Sequence, residues 1–376
     1  MTQRLRILLL IPHLGGGGAE QVIALLARGL AAGKYEVHLG LVTGSAPAAQ
    51  DLPPELIVHE LRATRVRASL FRLLRLVRRL KPALILSGMA HLNFLVLMLR
   101  PFFPRHTRVL VRQNGTVSSA LAFGGLPGYT RLLYRLLYPR ADGIVCQTRA
   151  MAEDLGREVG IREKQITVLP NPVDLDGIRT AASCSPSVWR GPGPHLLAVG
   201  RLSREKGFDL LMQALAKVRE RFAHADLVIA GSGPEEMDLK ALRHELSLEN
   251  AVQFAGRVDF PHAYFPGASL YVLSSRHEGL PNSLLEAAAG GLPVVALPAS
   301  LGIVELLRRE PGAWLAPEIS AEALAACLVS ALQALRPGER FAHPFVEAFR
   351  MQQAIQGYEK LIDVVIEGPT LREGQP

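Results

Sequence analysis

The sequence predicts an α/β protein built from two doubly wound, parallel-sheet domains in series. Three observations carry that expectation. Short apolar runs alternate with segments of helical periodicity almost from end to end. The alternation breaks once, between about Val173 and Pro194, in a stretch rich in Ser, Pro, Gly and Cys, and then restarts. The chain has 376 residues, more than one hydrophobic core usually organises. Its 49% apolar and 20% charged residues are the balance of a folded chain. Only the last ten residues, with Gly368, Pro369, Gly374 and Pro376 among charges, read as a tail.

The first strand is expected over Arg6–Ile11. Arg4 and Arg6 precede its apolar run as they would in a secretory leader. The run is too short for one, however, ends at Pro12 and a glycine cluster, and leads to no small-residue cleavage site. Strand patterns follow at Glu36–Val42, Ile57–Leu61, Ala83–Leu86, Arg108–Arg112, Gly143–Cys146 and Ile166–Leu169. Helical spacing lies between most of them, over Ala19–Ala32, Ser69–Leu80, Leu92–Leu99, Tyr129–Tyr138 and Arg149–Val159. Strands followed repeatedly by helices imply a parallel sheet covered on both faces.

After the break, Leu196–Gly200, Asp226–Ala230, Val252–Ala255, Leu270–Leu273 and Pro293–Ala296 read as strands. Phe208–Arg221, Pro234–Leu246, Asn282–Ala289, Ala321–Leu335 and Met351–Ile366 read as helices. The expected division is therefore a basic first domain over residues 1–180 and a second over 181–350. Residues 351–376 are expected to form a helix packing back toward the first domain, and a tail. Open sheets of this kind bind ligands outside the carboxyl ends of their strands. The charge is divided as well: residues 1–180 hold 24 Lys and Arg against 12 Asp and Glu, and residues 181–376 hold 18 against 22. A basic half suits a polyanion or an anionic surface.

Cys146, Cys184 and Cys327 are far apart and form no C-x-x-C pair, so buried reduced thiols are expected rather than disulfides or a zinc site. No stretch approaches the roughly 18 apolar residues that span a bilayer. A cytoplasmic chain, peripheral at the inner face of the plasma membrane, is the expectation.

Three loops carry the chemistry. The first strand ends in His13-Leu14-Gly15-Gly16-Gly17-Gly18-Ala19-Glu20. A glycine run between strand and helix permits close backbone approach to a ligand, and a helix N-terminus favours an anion. The dinucleotide pattern G-x-G-x-x-G does not fit, because Glu20 or Gln21 falls at the third glycine. The second loop, Gly200-Arg201-Leu202-Ser203-Arg204-Glu205-Lys206-Gly207, lets a forked guanidinium and a mobile ammonium converge on one polyanion such as a diphosphate. By itself it reads as a solvated basic loop.

The third loop runs from Ser274 to Glu286. Pro281 and Asn282 suit a helix start, so the free backbone N–H groups around Gly279–Ser283 are expected to face a phosphate or sugar oxygen. Glu278 and Glu286, with seven residues between them, could then grip hydroxyls at the two ends of a sugar nucleotide.

Taken together these segments resemble the family 4 retaining glycosyltransferases of the GT-B fold. The resemblance also draws on Leu169-Pro170-Asn171-Pro172-Val173-Asp174, Ala230-Gly231-Ser232-Gly233-Pro234, Phe254-Ala255-Gly256-Arg257-Val258 and Pro293-Val294-Val295, and so covers nearly the whole chain. It implies two Rossmann-like domains facing each other across a cleft. It implies a donor diphosphate held by Arg201 and Lys206, ribose hydroxyls on Glu286, and the transferred sugar on Glu278. Backbone at Gly279 and Leu280 would lie against sugar or phosphate, and Gly256 and Val258 near the base. Gly16, Gly17, Asn171 and Asn282 would complete the donor site. Glu278, Arg201 and Lys206 would act in catalysis.

No metal and no cofactor are implied. Asp174-Leu175-Asp176 spells the D-x-D of a different glycosyltransferase fold, and its place in the crossing segment marks the match as accidental. Arg201, Lys206 and a helix dipole would offset the leaving-group charge instead.

Many relatives carry a histidine after the strand matching Arg108–Val111, where this chain has Arg112-Gln113-Asn114-Gly115. His13, His91, Arg112 and Asn114 are therefore the acceptor-side candidates. Over Thr64–Lys81 the residues Leu70, Leu73, Leu74, Val77 and Leu80 share one helical face, with Arg72, Arg75, Arg78 and Arg79 largely off it. That is either a scaffold helix with solvated charges or a contact to an anionic membrane. The expected partners are a nucleotide diphosphate sugar, most simply a UDP-sugar, and a lipid-linked or oligosaccharide acceptor in cell-envelope glycan synthesis. Two rivals share the fold: a sugar-nucleotide 2-epimerase, whose proton-abstracting residues are not identifiable here, and a non-catalytic binding protein, which should have lost the residues retained here. Nucleic acid is not expected, since no recognition module or aromatic interleaving appears.

Overall fold

The computed structural model describes residues 4–14, 17–43, 52–123, 129–258 and 260–367, and the chain divides into two compact units. The first holds seven parallel strands: β1 (Leu5–Ile11), β2 (Tyr35–Leu41), β3 (Ile57–Glu60), β4 (Leu84–Ser87), β5 (Arg108–Arg112), β6 (Gly143–Cys146) and β7 (Ile166–Val168). Their spatial order is β3-β2-β1-β4-β5-β6-β7. Its helices include α1 (Gly18–Ala31), α2 (Leu70–Leu80), α3 (Ala90–Leu99), α4 (Val117–Phe123), α5 (Thr130–Leu137) and α6 (Arg149–Val159). Ile7 to Ile11 are wholly buried, which explains the unbroken apolar run: a central parallel strand is covered on both faces.

The second unit, Val173–Arg350, begins with α7 (Leu175–Cys184). Its parallel strands are β8 (His195–Val199), β9 (Asp226–Ala230), β10 (Val252–Gly256), β11 (Leu270–Leu273), β12 (Val294–Ala296) and β13 (Ala313–Leu315), in the order β10-β9-β8-β11-β12-β13. The helices α8 (Phe208–Arg219), α9 (Glu236–Glu245), α10 (Asn282–Ala289), α11 (Leu301–Leu307) and α12 (Ala321–Ala334) accompany them. The last helix, α13 (Met351–Glu367), belongs to the first unit. There Ile355, Tyr358 and Ile362 join the core formed with α1, and the Tyr35 hydroxyl donates to Asp363 at 2.7 Å.

Three expectations need correction. The break is not an unstructured linker, because α7 forms within it, and the first unit ends at Pro172 rather than at residue 180. Asp174 caps α7 by accepting from the Gly177 N–H at 3.1 Å, while Leu175 and Ile178 anchor the helix in the second unit's core. Cys184, at the end of that helix, is exposed; only Cys146 is fully buried. The same geometry explains the D-x-D residues: Asp174 is the helix cap, and Asp176 pairs with Arg350 at 2.8 Å.

Candidate active site

In the second sheet the strand order reverses between β8 and β11, which are neighbours whose next strands in sequence lie on opposite sides. The loops leaving such a pair diverge and leave a crevice at the carboxyl edge. Those two loops are the Arg201–Lys206 loop and the Ser274–Glu286 segment.

The two loops are stitched together by their own residues. Arg276 donates a forked pair to Asp209 at 2.7 and 2.6 Å, and its N–H donates to the Glu205 carbonyl at 2.7 Å. The Ser274 hydroxyl donates to the Lys206 carbonyl at 2.8 Å. Gly207 turns the chain into α8 with φ +61, and a Cβ there would collide with the Ser274 carbonyl. Only glycine serves both the left-handed conformation and the close approach. Gly231 is fixed for a related reason, since a Cβ on it would strike the Gly200 carbonyl.

On this frame Lys206 and Glu278 form an ion pair, their side chains 22% and 11% exposed. The Ser275 hydroxyl donates to the same Glu278 oxygen at 2.8 Å. Partial burial strengthens such a pair and raises the cost of stranding either member. The head of Arg201, five residues earlier, is exposed.

Pro281 precedes α10 without a side-chain cap, and Asn282 and Ser283 open the helix, so its first N–H groups lack an intrahelical partner. Leu280 is buried in the core beneath, and Gly279 accepts from the Ser300 hydroxyl at 3.5 Å. Glu286, on the second turn, stands 3.4 Å from the His262 ring. Tyr271 ends beneath them, donating to the Ser283 hydroxyl at 2.7 Å. Its burial first, and then the charges of Glu278 and Glu286, push its pKa up and keep it protonated. Gly256 closes β10 and accepts from the Gly231 N–H at 2.7 Å; Val258 follows, half-buried. Ser275, His262 and the Arg276–Asp209 fork were not legible as site residues, although Arg276 lies inside the motif.

In the first sheet the order reverses between β1 and β4. The loop after β1 carries His13 and Gly17; Gly16 lies outside the described residues. Glu20 reaches back to accept from the Gly17 N–H at 2.9 Å, satisfying a donor at the start of α1. In His91, early in α3 after β4, desolvation lowers the imidazole pKa, opposed by the Glu20 carboxylate.

Arg112 and Asn114 behave differently. Arg112, an acceptor-side candidate, is 1% exposed: its guanidinium turns into the fold and donates to the side-chain oxygens of Asn114 and Asn171. Asn114 in turn donates to the Gly88 carbonyl and accepts from Gln147 at 3.2 Å. The polar end of β5 is thus a buried clamp joining the segments after β4, β5, β6 and β7, and Asn171, expected at the donor, is part of it. Among the described residues no cluster of three or more His, Cys, Asp or Glu is placed to hold a metal ion.

Comparison with known proteins agrees with this geometry. The model of Glycosyltransferase Family 4 matches residues 16–176, and that of Glycosyl transferases group 1 matches residues 193–334. The chain belongs to the family 4 glycosyltransferases of the GT-B fold. It is 29% identical over 308 residues to the N-acetylgalactosamine-N,N'-diacetylbacillosaminyl-diphospho-undecaprenol 4-alpha-N-acetylgalactosaminyltransferase of Campylobacter jejuni, covering 79% of this chain and 81% of that relative. It is 30% identical to the lipopolysaccharide core biosynthesis glycosyltransferase LpsE of Rhizobium meliloti, over 62% of this chain and 64% of that one. Other curated relatives are matched over as little as 38% of their length. Among solved structures, sucrose-phosphate synthase from Thermosynechococcus elongatus superposes with a TM-score of 0.80 at 20% identity, covering 97% of this chain and 100% of that one. HepE of Anabaena, in complex with UDP and glucose, gives 0.76 at 18%, covering 96% and 99%.

Proposed function

We propose that this glycosyltransferase moves a hexose or N-acetylhexosamine from a UDP-sugar, with retention of anomeric configuration, to a lipid-linked or polysaccharide-precursor acceptor in cell-envelope glycan synthesis at the cytoplasmic face of the membrane. The observation that carries the reading is the Lys206–Glu278 pair, held across the switch point of the second sheet with Arg201 and Glu286 on the same two loops. The names of relatives that act on an undecaprenol-linked sugar and in lipopolysaccharide core synthesis support the acceptor class.

The chemistry follows from the residue types. As the bond between the anomeric carbon and the diphosphate oxygen breaks, negative charge grows on the departing nucleotide. Lys206, Arg201 and the opening N–H groups of α10 are fixed donors that meet that charge without reorganisation. A diphosphate reaching Lys206 competes with Glu278 for the ammonium and leaves the carboxylate free to accept from sugar hydroxyls. Glu286, acceptor-only when ionised, suits the two ribose hydroxyls. With these cations in place no metal is required.

A thermal-shift panel of UDP-, GDP- and ADP-sugars, run with EDTA, tests the reading. One UDP-sugar at about a hundred times its Kd should stabilise the protein by about 2.7 kcal/mol, and transfer should persist in EDTA with the product anomer matching the donor. Absence of any nucleotide-sugar shift, or an inverted product, would refute it. Release of an epimerised sugar without acceptor would identify an epimerase instead.

A further inference from the structure

Between Glu60 and Asp142 the sequence contains fifteen Lys and Arg and not one Asp or Glu. This acid-free span builds α2, α3 and α5, which pack side by side on one face of the first sheet. Their inward residues, among them Leu73, Val77, Val96 and Leu137, belong to one core cluster. Apart from His91, their outward residues are chiefly of two kinds, arginines and large apolar side chains.

The apolar ones stand in water to an unusual degree: Phe71 is 81% exposed, Phe102 55%, Leu132 55% and Leu136 57%. Single exposed apolar residues are ordinary, but these share a layer. Phe71 and Leu74 line a shallow groove with Arg75, Arg78 and Arg79, and Arg78 donates to the Phe102 carbonyl at 3.3 Å. Pro101, beside Phe102, lines a second groove with Arg100 and Arg140. The strip therefore runs from the start of α2 to the turn after α5.

The arginines are not equivalent, which sharpens the expectation drawn from α2. Arg72 is folded back onto the carbonyls of Leu61 and Arg62, and Arg100 is spent on Asp142 at 2.6 Å. Arg75, Arg79 and Arg140 form no salt bridge among the described residues. On the strip they are free of internal carboxylates and can meet an external anion.

We propose that this face docks on an anionic bilayer, with Phe71 and Phe102 entering the headgroup–acyl boundary and Arg75, Arg79 and Arg140 engaging lipid phosphates. Exposed phenylalanines set among unpaired arginines fit an interface that is apolar on one side and anionic on the other. A soluble polyanion would use the arginines and leave both phenylalanines without a purpose. Only the benefit of docking rests on the proposed function, since a lipid-linked acceptor lies at that surface; the binding itself does not.

The test is co-sedimentation of the full chain with phosphatidylglycerol-containing and pure phosphatidylcholine vesicles. Arg75→Gln with Arg79→Gln should lower partitioning to the anionic vesicles roughly fivefold per charge. Phe71→Ser with Phe102→Ser, at unchanged charge, should lower it about tenfold or more. Unchanged melting temperature and UDP-sugar binding in both variants would show that the fold is intact. Transfer to a detergent-solubilised acceptor reports the catalytic reading separately. Equal binding to both vesicle types, or none, would overturn the proposal. So would a serine variant that binds like wild type while heparin displaces both, because the strip would then be a polyanion site.

Discussion

The two sheets turn at equivalent points and use their polar residues in opposite ways. At the β8/β11 switch, structural bonding is done by Arg276, Asp209 and Ser274, so that Arg201, Lys206, Glu278 and Glu286 can present charge. In the first unit the polar residues after β5 are consumed by the fold itself: Arg112 and Asn171 vanish into a clamp with Asn114. On the α2–α3–α5 side of that unit arginines stand outward with Phe71, Phe102, Leu132 and Leu136. A charged residue at a strand's carboxyl end is thus a site residue only when other groups relieve it of structural bonding.

The comparison predicts that substitutions in the two regions fail in different assays. The largest effect on turnover should come from Arg201→Ala or Lys206→Ala, each costing about 2–4 kcal/mol of transition-state stabilisation, read as a drop in kcat/KM. Arg201→Ala is the cleaner probe. Its head is exposed, so unfolding free energy should move by no more than about 0.5 kcal/mol, whereas Lys206→Ala also strands Glu278.

Arg112→Ala should do the reverse. Removing a buried guanidinium that bonds two side chains should cost about 2–3 kcal/mol of stability in denaturant titration, with little change in donor affinity. Arg112→Lys should not restore it, because a point charge cannot span Asn114 and Asn171 together. A donor-affinity loss in Arg112→Ala as large as that in Arg201→Ala would erase the distinction between the two regions.

Much of the architecture was legible because parallel strands buried on both faces leave unbroken apolar runs, as at Ile7–Ile11 and Leu84–Leu86. The omissions have physical causes. α7 is anchored by only Leu175 and Ile178, too few for a periodic signal, and its one local cue, Asp174 as cap, was read as part of D-x-D. α11 is seven residues long, below the length at which helical periodicity can be told from chance. At the site, Arg201, Lys206, Glu278 and Glu286 were disclosed by the conjunction of motifs that resembles the family 4 glycosyltransferases, neither pair being decisive by itself. The fate of Arg112 was hidden, because its partner Asn171 lies 59 residues away and nothing local to Arg112-Gln113-Asn114 shows which way the guanidinium turns.

The central claim is that two carboxylates on one segment have separate tasks, Glu278 on the transferred sugar and Glu286 on the ribose. Measuring donor Kd and kcat for Glu278→Ala and Glu286→Ala tests it most directly. Glu286→Ala should raise the Kd for the nucleotide sugar and for the free nucleotide alike. Glu278→Ala should mainly lower kcat and leave free-nucleotide binding near wild type. Equal changes in both constants for the two variants, or negligible changes in either, would contradict the account.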